Sequence, residues 1–269
     1  MPVRRGARLI TRSVVSGRAL AAAALLLMLT ACAGGVFGRQ YEYDEQLYLS
    51  ADGSATVDIS ASIPALIALH GLPLDPAPRA RIDRDEVRAM VEEPGLEIAR
   101  VSRVWRRDGR QFIQIRADID DVRNLGKTKL FQSATVTLTD MPDGTREFRQ
   151  RIAAPAGTVP EGVDFGWTGG ELAAFKVHLP SRVHAHNVRD IDTNDTGTVE
   201  RGNILTWEQR LTDRLAGKPM DLHVSMESGS ILYRTLSIFA LSFGAAILLL
   251  SLIVWSIIRR GKARNRARV

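Results

Sequence analysis

Residues 41–60 read YEYDEQLYLSADGSATVDIS, and the fold follows from their centre. Asp52-Gly53 favours the positive φ angles of a tight hairpin turn. Before the turn, Tyr41, Tyr43, Leu47 and Leu49 alternate with Glu42, Asp44 and Gln46. After it, Ala55, Val57 and Ile59 alternate with Thr56, Asp58 and Ser60. A period of two places one set on a buried face and the other in water, so this stretch predicts two antiparallel strands.

Downstream, the same grammar recurs at Asp108-Gly109 and Asp143-Gly144. Leu96 and Ile98 lead towards the second turn, with Ile113, Ile115, Ala117 and Ile119 returning from it. Ala134, Val136 and Leu138, then Phe148 and Ile152, flank the third. Between the first two hairpins, Asp83 caps a predicted helix, with Glu86 three residues on and Val87, Met90 and Val91 sharing one face. Pro94-Gly95 ends it. A shorter helix is expected at 120–126, with Val122 and Leu125 on one side. Hairpins interrupted by helices argue for an α+β fold, an antiparallel sheet of hairpins with helices on one face, over residues 39–153.

Residues 153–170, AAPAGTVPEGVDFGWTGG, are rich in Gly, Pro and Ala and read as a long connection. Residues 171–228 form a second small β region, either separate or part of the same domain. Strand-like runs lie at 174–179, 183–187, 204–210 and 221–225, with Pro180 marking an edge or bulge.

Both ends of the chain carry addressing signals. Thr235 to Ile258 is a run of 24 uncharged residues, long enough to cross a bilayer with some tilt. The basic tail 259–269 follows, so the positive-inside rule predicts a cytoplasmic C-terminus and an outward-facing domain at a bacterial cell membrane. Tyr233, Trp255, Arg259 and Arg260 fall where interfacial rings and cations are expected. At the other end, residues 1–31 combine five arginines with the 13-residue apolar run Ala19–Ala31, the pattern of a signal peptide. Leu29-Thr30-Ala31-Cys32 resembles a lipobox, which would make Cys32 a lipidation site. Ala31-Cys32-Ala33 also fits an A-x-A cleavage site that would discard the cysteine.

The charge is unevenly divided. A pI of about 9.9 suggests nucleic acid as a partner. With the signal and the tail set aside, however, residues 33–258 hold 25 basic against 30 acidic side chains, net −5. No basic stripe with interleaved aromatics appears there, so no nucleic acid is expected as a partner.

The pattern Phe175-Lys176-Val177-His178-Leu179-Pro180, Val183, Asn187 and Leu205-Thr206-Trp207, ahead of one C-terminal membrane helix, resembles the mycobacterial LppM-type envelope lipoproteins. Ser181 stands where that pattern has Gly after the proline. The resemblance covers the last third of the chain. It implies a surface-exposed, non-catalytic envelope protein with an exported α/β domain that contacts lipid or glycolipid. Beside that, an envelope protein as assembly partner is the other expected contact, and no cofactor is expected. The resemblance assigns no binding residue.

The alternative is a metal-dependent envelope enzyme. His184 and His186 are two apart, and on a regular strand they would present two imidazoles to one side. His178, Asp190, Asp192, Asp195 and Glu200 lie near them in sequence. Asp190 to Asp195 opens like a calcium loop but has Asp195 where Gly is needed and Arg201 where Glu is needed, so it reads as a polar loop. No G-x-S-x-G elbow, H-E-x-x-H helix or phosphate-cradling glycine loop is present.

Overall fold

The hairpin at Asp52-Gly53 sets the register of everything beside it. In the computed structural model, which describes residues 39–229 and 231–266, β1 (Tyr41–Leu49) and β2 (Ala55–Ser62) pair antiparallel from Leu49↔Ala55 to Tyr43↔Ala61. Gly53 adopts φ 94°, and the Asp52 carboxylate accepts from the Ser54 N–H at 3.0 Å and its hydroxyl at 2.7 Å. The leader and Cys32 lie outside the described residues, as do the side chains of Tyr233, Arg259 and Arg260.

Among the described residues the strands form two sheets. The larger runs β10-β8-β1-β2-β5-β3, with β4 also on β5; the smaller runs β6-β7-β11-β9. Here β3 is Glu97–Val101, β4 Trp105–Arg107, β5 Arg110–Ile119, β6 Ala134–Asp140 and β7 Thr145–Ile152. The later strands are β8 Leu172–His178, β9 Val183–His186, β10 Ile204–Arg210 and β11 Met220–Glu227. The three Asp-Gly turns thus close β1–β2, β4–β5 and β6–β7; the first and third are the predicted hairpins, whereas the strand entering the second turn is the short Trp105–Arg107, and the Ile98 run expected there is β3, which pairs with the far half of β5.

Residues 171–228 contribute two strands to each sheet. Among the described strands one pairing is parallel: β8 runs parallel to β1, with Leu47 opposite Val177. Parallel neighbours need a long crossover, and the 153–170 connection supplies it. Gly157 in that connection passes so close to the end of a helix that a Cβ there would lie 2.2 Å from the Ile67 carbonyl oxygen.

That helix, α1 (Ile63–His70), has no counterpart among the sequence expectations. Ser62 caps it by accepting from the Ala65 N–H at 3.1 Å, Pro64 occupies its first turn, and Gly71 ends it at φ 70°. Its residues Ile63 to Leu69 are all buried, so it shows no polar stripe and no 3.6-residue period to find. By contrast α2 (Arg84–Val91) starts at Asp83 as predicted and buries Val87 and Val91. A 3₁₀ turn follows at Val122–Lys127, and α3 (Leu211–Leu215) follows β10.

The buried faces of the two sheets share one hydrophobic core. Leu47, Val57, Ile115 and Val177 of the large sheet and Val136, Phe148, Leu222 and Val224 of the small one belong to the same cluster. Each such side chain contributes about 1.5–3 kcal/mol by leaving water. The last helix, α4 (Ile231–Arg266), is different. Its segment Thr235–Trp255 has mean hydropathy 2.5, and none of it is buried by protein. Leu241, Phe243 and Leu248 on that helix are all exposed, an apolar surface suited to lipid rather than water.

Candidate functional site

Polar side chains converge in the core between the sheets. Glu45 and Tyr43 come from β1, Gln150 from β7, Arg214 from α3 and His70 from the end of α1. Alternation along β1 sends Tyr43 and Glu45 inward with Leu47, so the carboxylate occupies a position that the pattern reserves for an apolar residue. The Tyr43 hydroxyl donates to Glu45 Oε2 at 2.6 Å, and Gln150 Nε2 donates to Glu45 Oε1 at 3.3 Å. Arg214, 2% exposed, donates to the carbonyls of Ile152, Ala153 and Lys218. These groups, with Leu69, Leu130, Phe131 and Phe175, enclose a pocket of ≈ 20 Å³, about the room one water requires.

Burial shifts the titrations here. It raises the Glu45 carboxyl above its ordinary value, while the bonds from Tyr43 and Gln150 and the nearby Arg214 charge pull it back. Burial, then the Glu45 charge, raises the Tyr43 phenol well above 10. Arg214 is lowered by burial and partly restored by Tyr43 and Glu45. His70 is pushed down to about 4 by burial, so its ring is neutral near pH 7. Its Nδ1 lies 2.6 Å from the Leu130 carbonyl, which only accepts, so the proton sits on Nδ1. Nε2 is then a lone-pair acceptor, sealed from solvent and without a partner among the described residues. The pocket therefore suits a small hydrogen-bond donor.

The residues singled out in the sequence do not gather here. His178 lies on the other face of β8, stacked 4.1 Å from the Tyr48 ring. His184 and His186 sit on β9, where pairing with β11 skips from Ser225↔Ala185 to Met226↔Val183. His184 is the extra residue of that bulge, so the regular alternation that would aim both imidazoles one way is interrupted. Asp190 turns back on its own loop, its carboxylate accepting from the Asp192 and Thr193 N–H groups at 2.9 and 3.0 Å. Among the described residues no three or more His, Cys, Asp or Glu side chains are grouped to hold a metal. Trp255 is on the exposed apolar surface of α4.

Sequence reasoning passed over Tyr43, Glu45, His70, Gln150 and Arg214. One signal was available for Glu45, since it breaks the polar phase of β1 by falling in step with Tyr43 and Leu47. His70 and Arg214 carry no such mark, because the Leu130 carbonyl that His70 meets and the Ile152 and Ala153 carbonyls that Arg214 meets lie 60 or more residues away.

No family model matches the chain, and no curated protein does. Among solved structures, it is similar to the NMR structure of the LppM folded domain of Mycobacterium tuberculosis. The identity is 13%, 72% of this chain and 94% of that one are covered, and the TM-score is 0.34.

Proposed function

We propose that this is a bacterial envelope protein, held in the cell membrane by α4, whose outward domain binds a lipid or glycolipid without catalysing a reaction on it. The observation that carries the reading is the inter-sheet pocket, where apolar walls surround a buried acceptor, His70 Nε2, that lacks a protein partner. At ≈ 20 Å³ the space has room for about one water, so a guest would place no more than a hydroxyl there. The guest that fits is an amphipath presenting one hydroxyl. Its remaining bulk would lie outside the enclosed space.

The topology completes the reading. The basic tail 259–269 sits inside, the leader is removed, and Cys32 carries lipid as the mature N-terminus. Protease added to intact cells should digest the domain and spare a tag after Val269. Intact mass should show loss of residues 1–31 with a diacylglyceryl group, and a lipid-free N-terminus would remove Cys32 as an anchor.

Native mass spectrometry of the full chain, extracted in membrane-derived nanodiscs, tests the pocket. A lipid that stays with the protein and is lost in His70→Trp, which fills the space, is the expected result. A lipid complement that is the same in both proteins overturns the pocket reading. Stoichiometric transition metal in the purified chain, lost with His184→Ala, would instead support metal chemistry at β9.

A further inference from the structure

The junction between the domain and α4 is short and tied down. β11 ends at Glu227 and α4 starts at Ile231. The Glu227 N–H donates to the Arg182 carbonyl at 3.0 Å, and the Ser181 hydroxyl donates to the Gly229 carbonyl at 2.8 Å. Ser181, which stands in place of glycine after Pro180, is 1% exposed, so water does not compete for its bond. From Ile231 to the start of the apolar segment at Thr235 the helix rises about 6 Å, at about 1.5 Å per residue. The headgroup layer on each side of a bilayer is about 5–8 Å deep. With Thr235 at the edge of the hydrocarbon, Ile231 lies at the outer limit of that layer, and no stalk separates the domain from the membrane.

Strand register shows which end of the domain meets that junction. Glu227 pairs with Thr145, so the 141–144 turn lies beside the exit of the chain. The Val183 N–H donates to the Gly202 carbonyl at 3.3 Å and Asn203 Nδ2 to the Leu179 carbonyl at 2.8 Å, which brings the 180–182 and 200–203 turns to the same end. The inter-sheet pocket is at the other end. Ile152, in its lining, closes the eight-residue strand β7 that Thr145 opens, roughly 24 Å away at about 3.4 Å per residue.

The charges on the three turns are of both signs. Arg182, Arg201 and Glu200 are exposed, while the Asp143 carboxylate is engaged within its own turn, accepting from the Thr145 N–H at 2.9 Å and its hydroxyl at 2.7 Å. A zwitterionic headgroup matches this surface, with its phosphate towards the guanidinium groups and its cation towards Glu200. We infer that the end of the domain built from the 141–144, 180–182 and 200–203 turns rests on the zwitterionic headgroups of the bilayer that α4 crosses, with the strands standing away from it. The inference rests on the reading of α4 as the membrane anchor. It adds that the pocket is held on the far side from that bilayer, so a lipid reaches His70 only after leaving the membrane in which the protein is anchored.

Fluorescence quenching in phosphatidylcholine nanodiscs that contain a headgroup spin-labelled lipid tests the inference on the full chain. Cys32→Ser removes the native cysteine, and one new cysteine per variant carries a bimane label. Pro142→Cys and Arg182→Cys report on the proposed contact. Arg106→Cys, beside the turn between β4 and β5, reports on the far end, and Arg116→Cys and Arg149→Cys on the outer faces of the large and small sheets. All five side chains are exposed. Quenching at Pro142 and Arg182 should exceed that at the other three positions at least threefold. The melting curve of each variant should match that of the parent chain, and Arg201→Cys replaces either contact variant that melts early. Equal quenching at all positions, or the strongest quenching at Arg106, Arg116 or Arg149, overturns the inference and leaves the anchor intact. Contact seen only when phosphatidylglycerol replaces phosphatidylcholine also overturns it. A chain that does not stay with the nanodisc overturns the anchor and this inference together, so the two failures are told apart.

Discussion

Gln150 Nε2 donates to Glu45 Oε1 across 3.3 Å, a bond from the small sheet to the large one through the interior. Two sheets that share a core can slide unless something fixes their register, and a buried directional bond does so where apolar packing is permissive. The carboxylate that accepts it also holds the Tyr43 hydroxyl, so three side chains are committed to one arrangement.

Breaking this bond has a definite signature. Glu45→Leu leaves both the Tyr43 hydroxyl and the Gln150 amide without their acceptor, and each orphaned group costs about 1–3 kcal/mol. Gln150→Leu removes only one donor and should cost less. Urea denaturation of the two single variants and the double variant should give a coupling of about 0.5–3 kcal/mol. Strict additivity would show that the bond does not join the sheets energetically.

His70 makes stability depend on pH in a known direction. Its folded value of about 4 lies below the usual 6.5, so the unfolded chain binds more protons between those limits. Stability should be full above pH 6.5 and fall as the pH drops to about 4, by an amount on the order of 3 kcal/mol. Glu45, raised by burial, acts oppositely: its contribution is present below the ordinary carboxylate range and lost as the pH rises through its elevated folded value. Urea midpoints of the parent chain and His70→Leu across pH 4 to 7.5 isolate the histidine. Parallel curves would refute its role.

Gly157 is required by space. A Cβ would lie 2.2 Å from the Ile67 carbonyl oxygen and 2.4 Å from the Gly71 nitrogen, both backbone atoms that cannot turn aside. Gly157→Ala should destabilise the domain by about 1–3 kcal/mol. Gly170→Ala, where the nearest atom is the Thr168 hydroxyl at 3.8 Å, should be nearly neutral. Equal melting temperatures for the two variants would contradict the close crossing.

The exposed apolar surface of α4 belongs in lipid. Leu249→Arg places a charge near the middle of the Thr235–Trp255 segment, at about 2.5–3.5 kcal/mol against insertion. The variant should shift from the carbonate-resistant membrane fraction towards the extractable one. Unchanged resistance would point to an anchor elsewhere in the chain.

The sequence by itself determined the local elements: the three Asp-Gly hairpins, the Asp83-capped helix and the apolar helix at the C-terminus. Each is written in neighbouring residues, as a turn dipeptide, a cap or an unbroken apolar run. It did not show α1, because a helix buried on all sides has no polar face to mark its period. Nor did it show the parallel pairing of β8 with β1, which is decided by where the 153–170 connection crosses. Only the tertiary structure brought His70, Glu45, Gln150 and Arg214 around one space. Local pattern fixes which way a side chain points along its own strand or helix. What it points at is fixed by the packing of segments distant in the chain, so the inter-sheet pocket came into view only when the sheets met.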